Sequence, residues 1–295
     1  MKYAVILPVY NEEDYLRAAL ESLLAQELLP DQLVIVNDGS TDSTPDIIAE
    51  FVSKYAFIKV LNKEQKQEYR IGNVVVQNFN LGYASLAPDF EFVVKLDADI
   101  TLPSHYFARI AGHFAADPQL GLAGGKQLVL ENGEWVYEAV GDPDHVKGPC
   151  KSYRKACLEA MNGLRPSIGW DSADEILARY YGWTVMVDEE LRIRHHRVTG
   201  TNTGLLKVKR RIGHGFFRIR YGFMISLISA IKSGLKNPPY LLSGIAIMLG
   251  YCEAWWRGDE HVVTPEEGKY LRQFRWTRFL QKLGVNIPQK NNSEY

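Results

Sequence analysis

The sequence has little cysteine, only Cys150, Cys157 and Cys252 in 295 residues. An odd number with no CxxC spacing excludes a disulfide framework and a zinc knuckle, and it fits a reducing compartment. No stretch reaches ~18 uncharged apolar residues, so no membrane-spanning helix is expected. The apolar run after Met1-Lys2-Tyr3 stops at Val9, and Glu12, Glu13 and Asp14 follow where a leader would have small residues. That run reads as a buried strand rather than a signal peptide. Internal repeats and low-complexity segments are absent. Acidic residues are missing from one long interval: there are none between Glu190 and Glu253, while eleven Lys and Arg fall between Arg192 and Lys236. A one-sided block of this kind points to an anionic partner, a pyrophosphate or a phospholipid surface; the plain alternative is a solvated basic face balanced by acids elsewhere in the fold.

What is present is the composition of a globular protein, 46% hydrophobic and 23% charged with a net charge of -1. The length suits one large α/β domain with an appendage, or two small domains. Apolar runs of strand length at 3–9, 33–37, 57–61 and 90–96 alternate with helical periodicity. Leu16, Ala19, Leu20, Leu23 and Leu24 form one stripe after a capping Asn11, and Ile47, Ile48, Phe51, Val52 and Tyr55 form another after Thr44-Pro45. Further helices are expected at about 72–86 and 103–116. This alternation implies βαβ units on a mainly parallel sheet, whose ligands bind where the strands end. Beyond residue 120 the pattern changes to a hairpin turning at Asn132-Gly133, helices near 153–161 and 173–181, and strands at 184–187 and 191–195. From about residue 207 the chain is basic, aromatic and helical, broken at Pro238-Pro239.

Five constellations carry chemistry. Asp97-Ala98-Asp99 follows an apolar strand, and residues two apart point the same way, so both carboxylates can meet a hard cation such as Mn²⁺ or Mg²⁺. The run 37–44, Asn-Asp-Gly-Ser-Thr-Asp-Ser-Thr, places Asp38 at a strand end before a helix, where it can accept from a base N–H or a ribose hydroxyl; a ligand-free capping cluster fits the same composition. In 8–12, Pro-Val-Tyr-Asn-Glu, Tyr10 can stack on a base and Glu12 can hold the nucleoside. At 169–175, Gly-Trp-Asp-Ser-Ala-Asp-Glu, residues Asp171, Asp174 and Glu175 share a helix face and suit a general base, although a helix start rich in capping acids reads the same way. His195 and His196, adjacent and therefore facing opposite ways on a strand, offer at most one imidazole to the metal of Asp99.

Taken in order, these runs resemble glycosyltransferase family 2: residues 6–13 and 34–44 resemble its opening, 96–99 its DxD motif, and 169–183 its acceptor-side acidic motif. The resemblance covers roughly residues 3–200. It implies a GT-A fold, with a catalytic domain at 1–203 (a nucleotide-sugar half at 1–125, an acceptor half at 126–203) and a helical region at 204–295. It also implies inverting transfer from a UDP- or GDP-sugar to a saccharide or lipid-linked acceptor, with a divalent metal. By that resemblance Pro8, Tyr10, Glu12 and Asp38 hold the nucleoside. Asp97 and Asp99 hold ribose, diphosphate and metal, and Arg70 contacts base or phosphate. The acidic motif departs from the usual Glu-Asp pair, which leaves Asp174, then Asp171, as the base. The stretch 192–256 resembles the C-terminal part of bacterial surface-polysaccharide enzymes, so a cytoplasmic protein touching an anionic membrane is expected, and no nucleic-acid partner. The rivals are a sugar nucleotidyltransferase, disfavoured because Tyr10-Asn11-Glu12-Glu13 stands where such enzymes place a Gly-rich, Arg-containing loop, and a non-catalytic membrane-surface protein.

Overall fold

A computed structural model describes residues 1–64, 73–138, 144–197, 204–236, 238–282 and 284–285. In chain order the elements are β1 (Tyr3–Val9), α1 (Leu16–Leu24), β2 (Gln32–Asn37), α2 (Thr44–Lys54), β3 (Ile58–Asn62), α3 (Asn73–Ala84), β4 (Phe92–Leu96) and β5 (Ile100–Thr101). There follow α4 (Tyr106–Ala116), β6 (Leu120–Glu131), β7 (Glu134–Tyr137), β8 (Cys150–Arg154), α5 (Lys155–Ala160), α6 (Trp170–Tyr180) and β9 (Thr184–His195). The last helices are α7 (Leu205–Arg218), α8 (Phe223–Lys236), α9 (Leu241–Arg257) and α10 (Pro265–Lys282).

The chain forms two compact units. The first holds the described residues of Met1–Arg70, Val74–Leu164 and Trp183–Val198, and the second those of Arg165–Gly182 and of the chain from Thr199 on. The sequence reading grouped 165–182 with 126–203; by compactness this segment, which carries α6, goes with the C-terminal helices.

The first unit is built on one sheet of order β3-β2-β1-β4-β8-β6-β9-β5, with β7 paired to β6. The strands from β3 to β4 run parallel, β8 is antiparallel to both β4 and β6, and β9 is parallel to β6. Side chains on the two faces of β1 meet different partners. Tyr3, Val5, Leu7 and Val9 join a core with Leu16 and Leu20 of α1, Phe51 of α2 and Phe107 and Phe114 of α4. On the other face Ile6 lies so near Gly82 of α3 that a Cβ added there would sit 2.6 Å from the Ile6 side chain. Burial on both faces explains why β1, β2 and β4 read as unbroken apolar runs instead of alternating ones. The hairpin turns at Asn132 and Gly133, both at positive φ (51° and 87°), the geometry of a type I′ turn.

Three local expectations are corrected. Asn11 does not cap α1, which starts at Leu16 after Tyr15 with no side-chain cap; its carboxamide accepts from the Thr41 N–H instead (2.8 Å). Tyr153 lies within strand β8 rather than opening a helix, because antiparallel pairing with β4 claims 150–154. Residues 184–187 and 191–195 are one strand, β9, whose pairing with β6 shifts register after Gly125.

The second unit is helical. On α6 the buried side includes Trp170, Ala173, Asp174 and Glu175, and Tyr180 at its end packs on Tyr270 of α10 (5.3 Å between rings). Buried Glu267 of α10 binds Tyr181 Oη (2.8 Å) and Arg165 (3.1 Å). Among the described residues no helix is long and apolar enough to cross a membrane.

Candidate functional site

In the first unit the sheet order makes β1 the neighbour of both β2 and β4, so the loops after these strands converge. Loops 10–14 and 38–44 are stapled to each other. Asp38 N–H donates to the Val9 carbonyl (2.9 Å), Asn11 N–H to Ser40 Oγ (3.1 Å), Glu12 N–H to Thr44 Oγ1 (2.8 Å), and Ser43 N–H to Glu13 (2.9 Å). The polar run 37–44 thus acts as a mutual cap that fixes both loops, leaving the Asp38 carboxylate to other partners. It receives Lys63, at the end of β3, at 2.7 Å, and Lys63 also donates to Asn78 of α3 (2.6 Å).

Asp97 and Asp99 follow β4. Asp97 accepts from Lys95 (2.5 Å), whose ammonium, on a side chain only 2% exposed, also donates to the Gly148 carbonyl (2.9 Å). Burial pushes the Asp97 carboxyl above its ordinary range; Lys95 opposes this and Asp99 adds to it. Asp99 is buried, and His195 Nε2 stands 3.3 Å from its Oδ2. Burial acts to raise this carboxyl too, but His195 and Arg197 outweigh it and hold Asp99 below the usual range. The pairing that brings His195 there is backbone register: Ile100 of β5 lies opposite His195 of β9, and His196 N–H donates to the Asp99 carbonyl (2.9 Å). His196 turns away, its Nε2 2.9 Å from Thr101 Oγ1 and its ring against Trp135. The other His195 nitrogen, Nδ1, contacts the Gln127 amide. Of the two histidines named from sequence, the structure brings only His195 to Asp99.

Glu12 is clamped by Arg197 through two bonds of 3.0 and 2.8 Å. Burial nevertheless pushes its carboxyl up to about 7 against the pull of that guanidinium. Pro8 and Tyr10 are half-buried at the end of β1. Arg70 lies outside the described residues.

Among the described residues no group of three or more His, Cys, Asp or Glu forms a ready metal cage. One atom nevertheless asks for a ligand: Asp99 Oδ1 is buried with no hydrogen-bond partner. An orphaned carboxylate oxygen in a shielded position is costly, and a cation is the natural partner for it. Asp99, Asp97 and His195 supply hard oxygen and imidazole donors that fit Mn²⁺ or Mg²⁺.

In the second unit Gly169, at φ 79°, takes the N-cap position and Asp171 falls in the first turn of α6, where the helix dipole favours an acid. Asp174 and Glu175 are buried, and Asp174 Oδ1 accepts the Glu175 N–H (2.7 Å). Arg275 of α10, bound to Tyr221 Oη (2.6 and 3.1 Å), is held above its ordinary range first by Tyr221 and further by Glu175 and Asp171.

Four side chains of the first unit escaped assignment from sequence: Lys63, Lys95, Gln127 and Arg197. Lys95 had a visible signal, a lone charge inside the apolar run of β4. The others are specified by which strand ends become neighbours.

Residues 4–133 match the family described as glycosyl transferase family 2. An uncharacterized glycosyltransferase of Mycoplasma pneumoniae is 36% identical over 117 residues, covering 39% of this chain and 37% of that protein. The mannosyltransferase PcManGT from Pyrobaculum calidifontis, solved with GDP-Man and Mn²⁺, is similar with a TM-score of 0.56 at 15% identity, covering 97% of this chain and 76% of that one. S. aureus TarS 1–349, solved with UDP, gives a TM-score of 0.55 at 18% identity, covering 99% of this chain and 95% of that one. The fold is thus GT-A, a mixed sheet flanked by helices with a helical C-terminal region. The similarity to glycosyltransferase family 2 lies in residues 4–133, and the aligned part of the chain spans 37% of the length of the Mycoplasma relative.

Proposed function

We propose that this protein transfers a sugar from a nucleoside-diphosphate donor to an acceptor hydroxyl, with inversion at the anomeric carbon. The observation that carries this reading is Asp99: a buried carboxylate with one oxygen unpartnered, following the β4 strand end beside loops already fixed by mutual hydrogen bonds. The nucleoside moiety is assigned to Pro8, Tyr10, Glu12 and Asp38, with Lys63 and Arg197 holding the two carboxylates in place. Asp97 serves the ribose and diphosphate, its rotamer fixed by Lys95. Asp99, Asp97 and His195 would hold a divalent cation, which when bound offsets negative charge on the departing diphosphate.

In the reaction the acceptor oxygen bonds to the anomeric carbon as the bond from that carbon to the diphosphate oxygen breaks. The hydroxyl proton passes to a carboxylate, for which Asp174 is the first candidate and Asp171 the second, and the nucleoside diphosphate leaves. Synthesis of cell-surface polysaccharide or glycolipid on the cytoplasmic side is the setting that suits such a transfer.

The test pairs two variants. Asp99→Asn should lower transfer by about 10³-fold and abolish Mn²⁺-dependent donor binding, measured by calorimetry across UDP- and GDP-sugars. Asp174→Asn should lower transfer as severely while donor affinity stays at the wild-type value. Equal Mn²⁺-dependent donor affinity in wild type and Asp99→Asn would remove the metal assignment. Pyrophosphate release from a nucleoside triphosphate and a sugar 1-phosphate would replace the whole reading with nucleotidyl transfer.

A further inference from the structure

Helices α8 and α9 are built inside out. The buried positions of α9 include Ser243, Gly244, Ala246, Gly250 and Ala254, and those of α8 include Ser226, Ala230 and Ser233. These small residues let the backbones close up: a Cβ at Gly244 would sit 2.6 Å from the Ala230 carbonyl oxygen, and one at Gly250 would collide with the Arg210 carbonyl of α7. Apart from buried Ile225 and Ile247, the large apolar side chains are exposed or half-buried. On α9 Leu242, Ile245, Leu249 and Trp256 are exposed, Trp256 at 84%, and exposed Cys252 continues the same i, i+3, i+7 stripe. On α8 Met224, Ile231 and Leu235 form a second stripe, Leu235 at 75%. Water-facing helices put the large apolar residues inside; small residues inside and large ones outside is the arrangement of helices that meet lipid.

We propose that the outer stripes of α8 and α9 seat on the surface of an anionic lipid bilayer. Charge chooses this occupant over a second copy of the chain. The exposed cations beside the stripes are Lys232, Lys236 and Arg257, and no Asp or Glu occurs from Phe223 to Cys252. Glu253, the one acid of α8 and α9, is already paired with Arg210 of α7, so a two-fold contact of this face with itself would set like charges together. Anionic headgroups neutralise these cations while the stripes enter the acyl boundary and the tryptophans take the interface. The helices lie along the surface: α9 is 17 residues, about 25 Å, too short to cross a hydrocarbon layer of about 30 Å. This inference stands apart from the catalytic reading, because its readout needs no turnover.

The experiment uses the full chain labelled at Cys252 with an environment-sensitive fluorophore; Cys150 and Cys157 are buried and stay unlabelled. Vesicles of phosphatidylcholine with phosphatidylglycerol should shift the label's emission to the blue and carry the protein upward in a flotation gradient. Pure phosphatidylcholine should do so far less, and added salt should weaken the anionic case. The unlabelled triple variant Leu242→Ser, Leu249→Ser, Trp256→Ser, whose sites are exposed and whose fold is checked by circular dichroism, should lose about tenfold or more in vesicle-bound fraction. Lys232→Glu with Lys236→Glu should remove the preference for anionic vesicles. Absence of flotation by the wild type, or equal flotation by the triple variant, overturns the proposal. So does a dimer in light scattering that the triple variant dissolves, which would hand the face to a second copy.

Discussion

The sheet of the first unit and the α8–α9 pair of the second spend their apolar residues in opposite ways. In the sheet the large side chains are inside: Tyr3, Phe92, Phe107 and Phe114 are fully buried or nearly so, with Tyr3 stacked on Phe92 at 4.8 Å. In the helix pair the inside is mostly Gly, Ser and Ala, with Ile225 and Ile247 as the buried large residues, and most of the other large side chains are exposed or half-buried. The sheet is therefore held mainly by removal of apolar area from water. The helix pair relies more on close backbone packing, with less large apolar area removed. The two should respond to mutation in opposite senses.

The largest effect is expected from shrinking the sheet's interior. Phe92→Ala leaves a cavity against Tyr3 and Phe114 and should cost about 4 kcal/mol. Because the two units need not unfold together, the loss is best read from amide hydrogen exchange in β1 and β4. Enlarging a small residue of α9 where it packs on α7 comes next. Gly250→Val drives a branched side chain into the Arg210 carbonyl of α7 and should cost about 3 kcal/mol, read from exchange in α7 and α9. If Gly250→Val were silent while Phe92→Ala was not, α7 and α9 would not be closely packed in solution.

The same contrast explains what could be read from the sequence. Strands β1, β2 and β4 were legible because helices cover both sheet faces, so each is an uninterrupted apolar run. The paired carboxylates were legible because a spacing of two on a strand sets direction. Strand β8 was not, since Lys151 and Ser152 are buried polar residues with no apolar run around them. Strand β5 is only Ile100–Thr101, too short to leave a period. The choice of His195 over His196 depends on the register of β5 against β9, and the partners Lys63 and Arg197 depend on which strand ends meet. None of these is a local property. In the second unit the exposed stripes are invisible to periodicity, because a helix with small residues on one side and large apolar ones on the other has the same amphipathic spacing whichever side faces water.

The smallest expected effect falls where sequence reasoning would anticipate a large one. Leu249 looks like a core leucine in the middle of an apolar helix, yet it is 54% exposed. An exposed side chain gains little by folding, because the unfolded chain exposes it too, so its transfer energy nearly cancels between the two states. What remains is the lower helix propensity of serine, a few tenths of a kcal/mol. Leu249→Ser should therefore change stability in lipid-free buffer by no more than about 0.5 kcal/mol, measured by urea titration and by exchange in α9. A cost of about 2 kcal/mol or more would mean that the leucine is covered in the native protein, and the inside-out description of α9 would have to be given up.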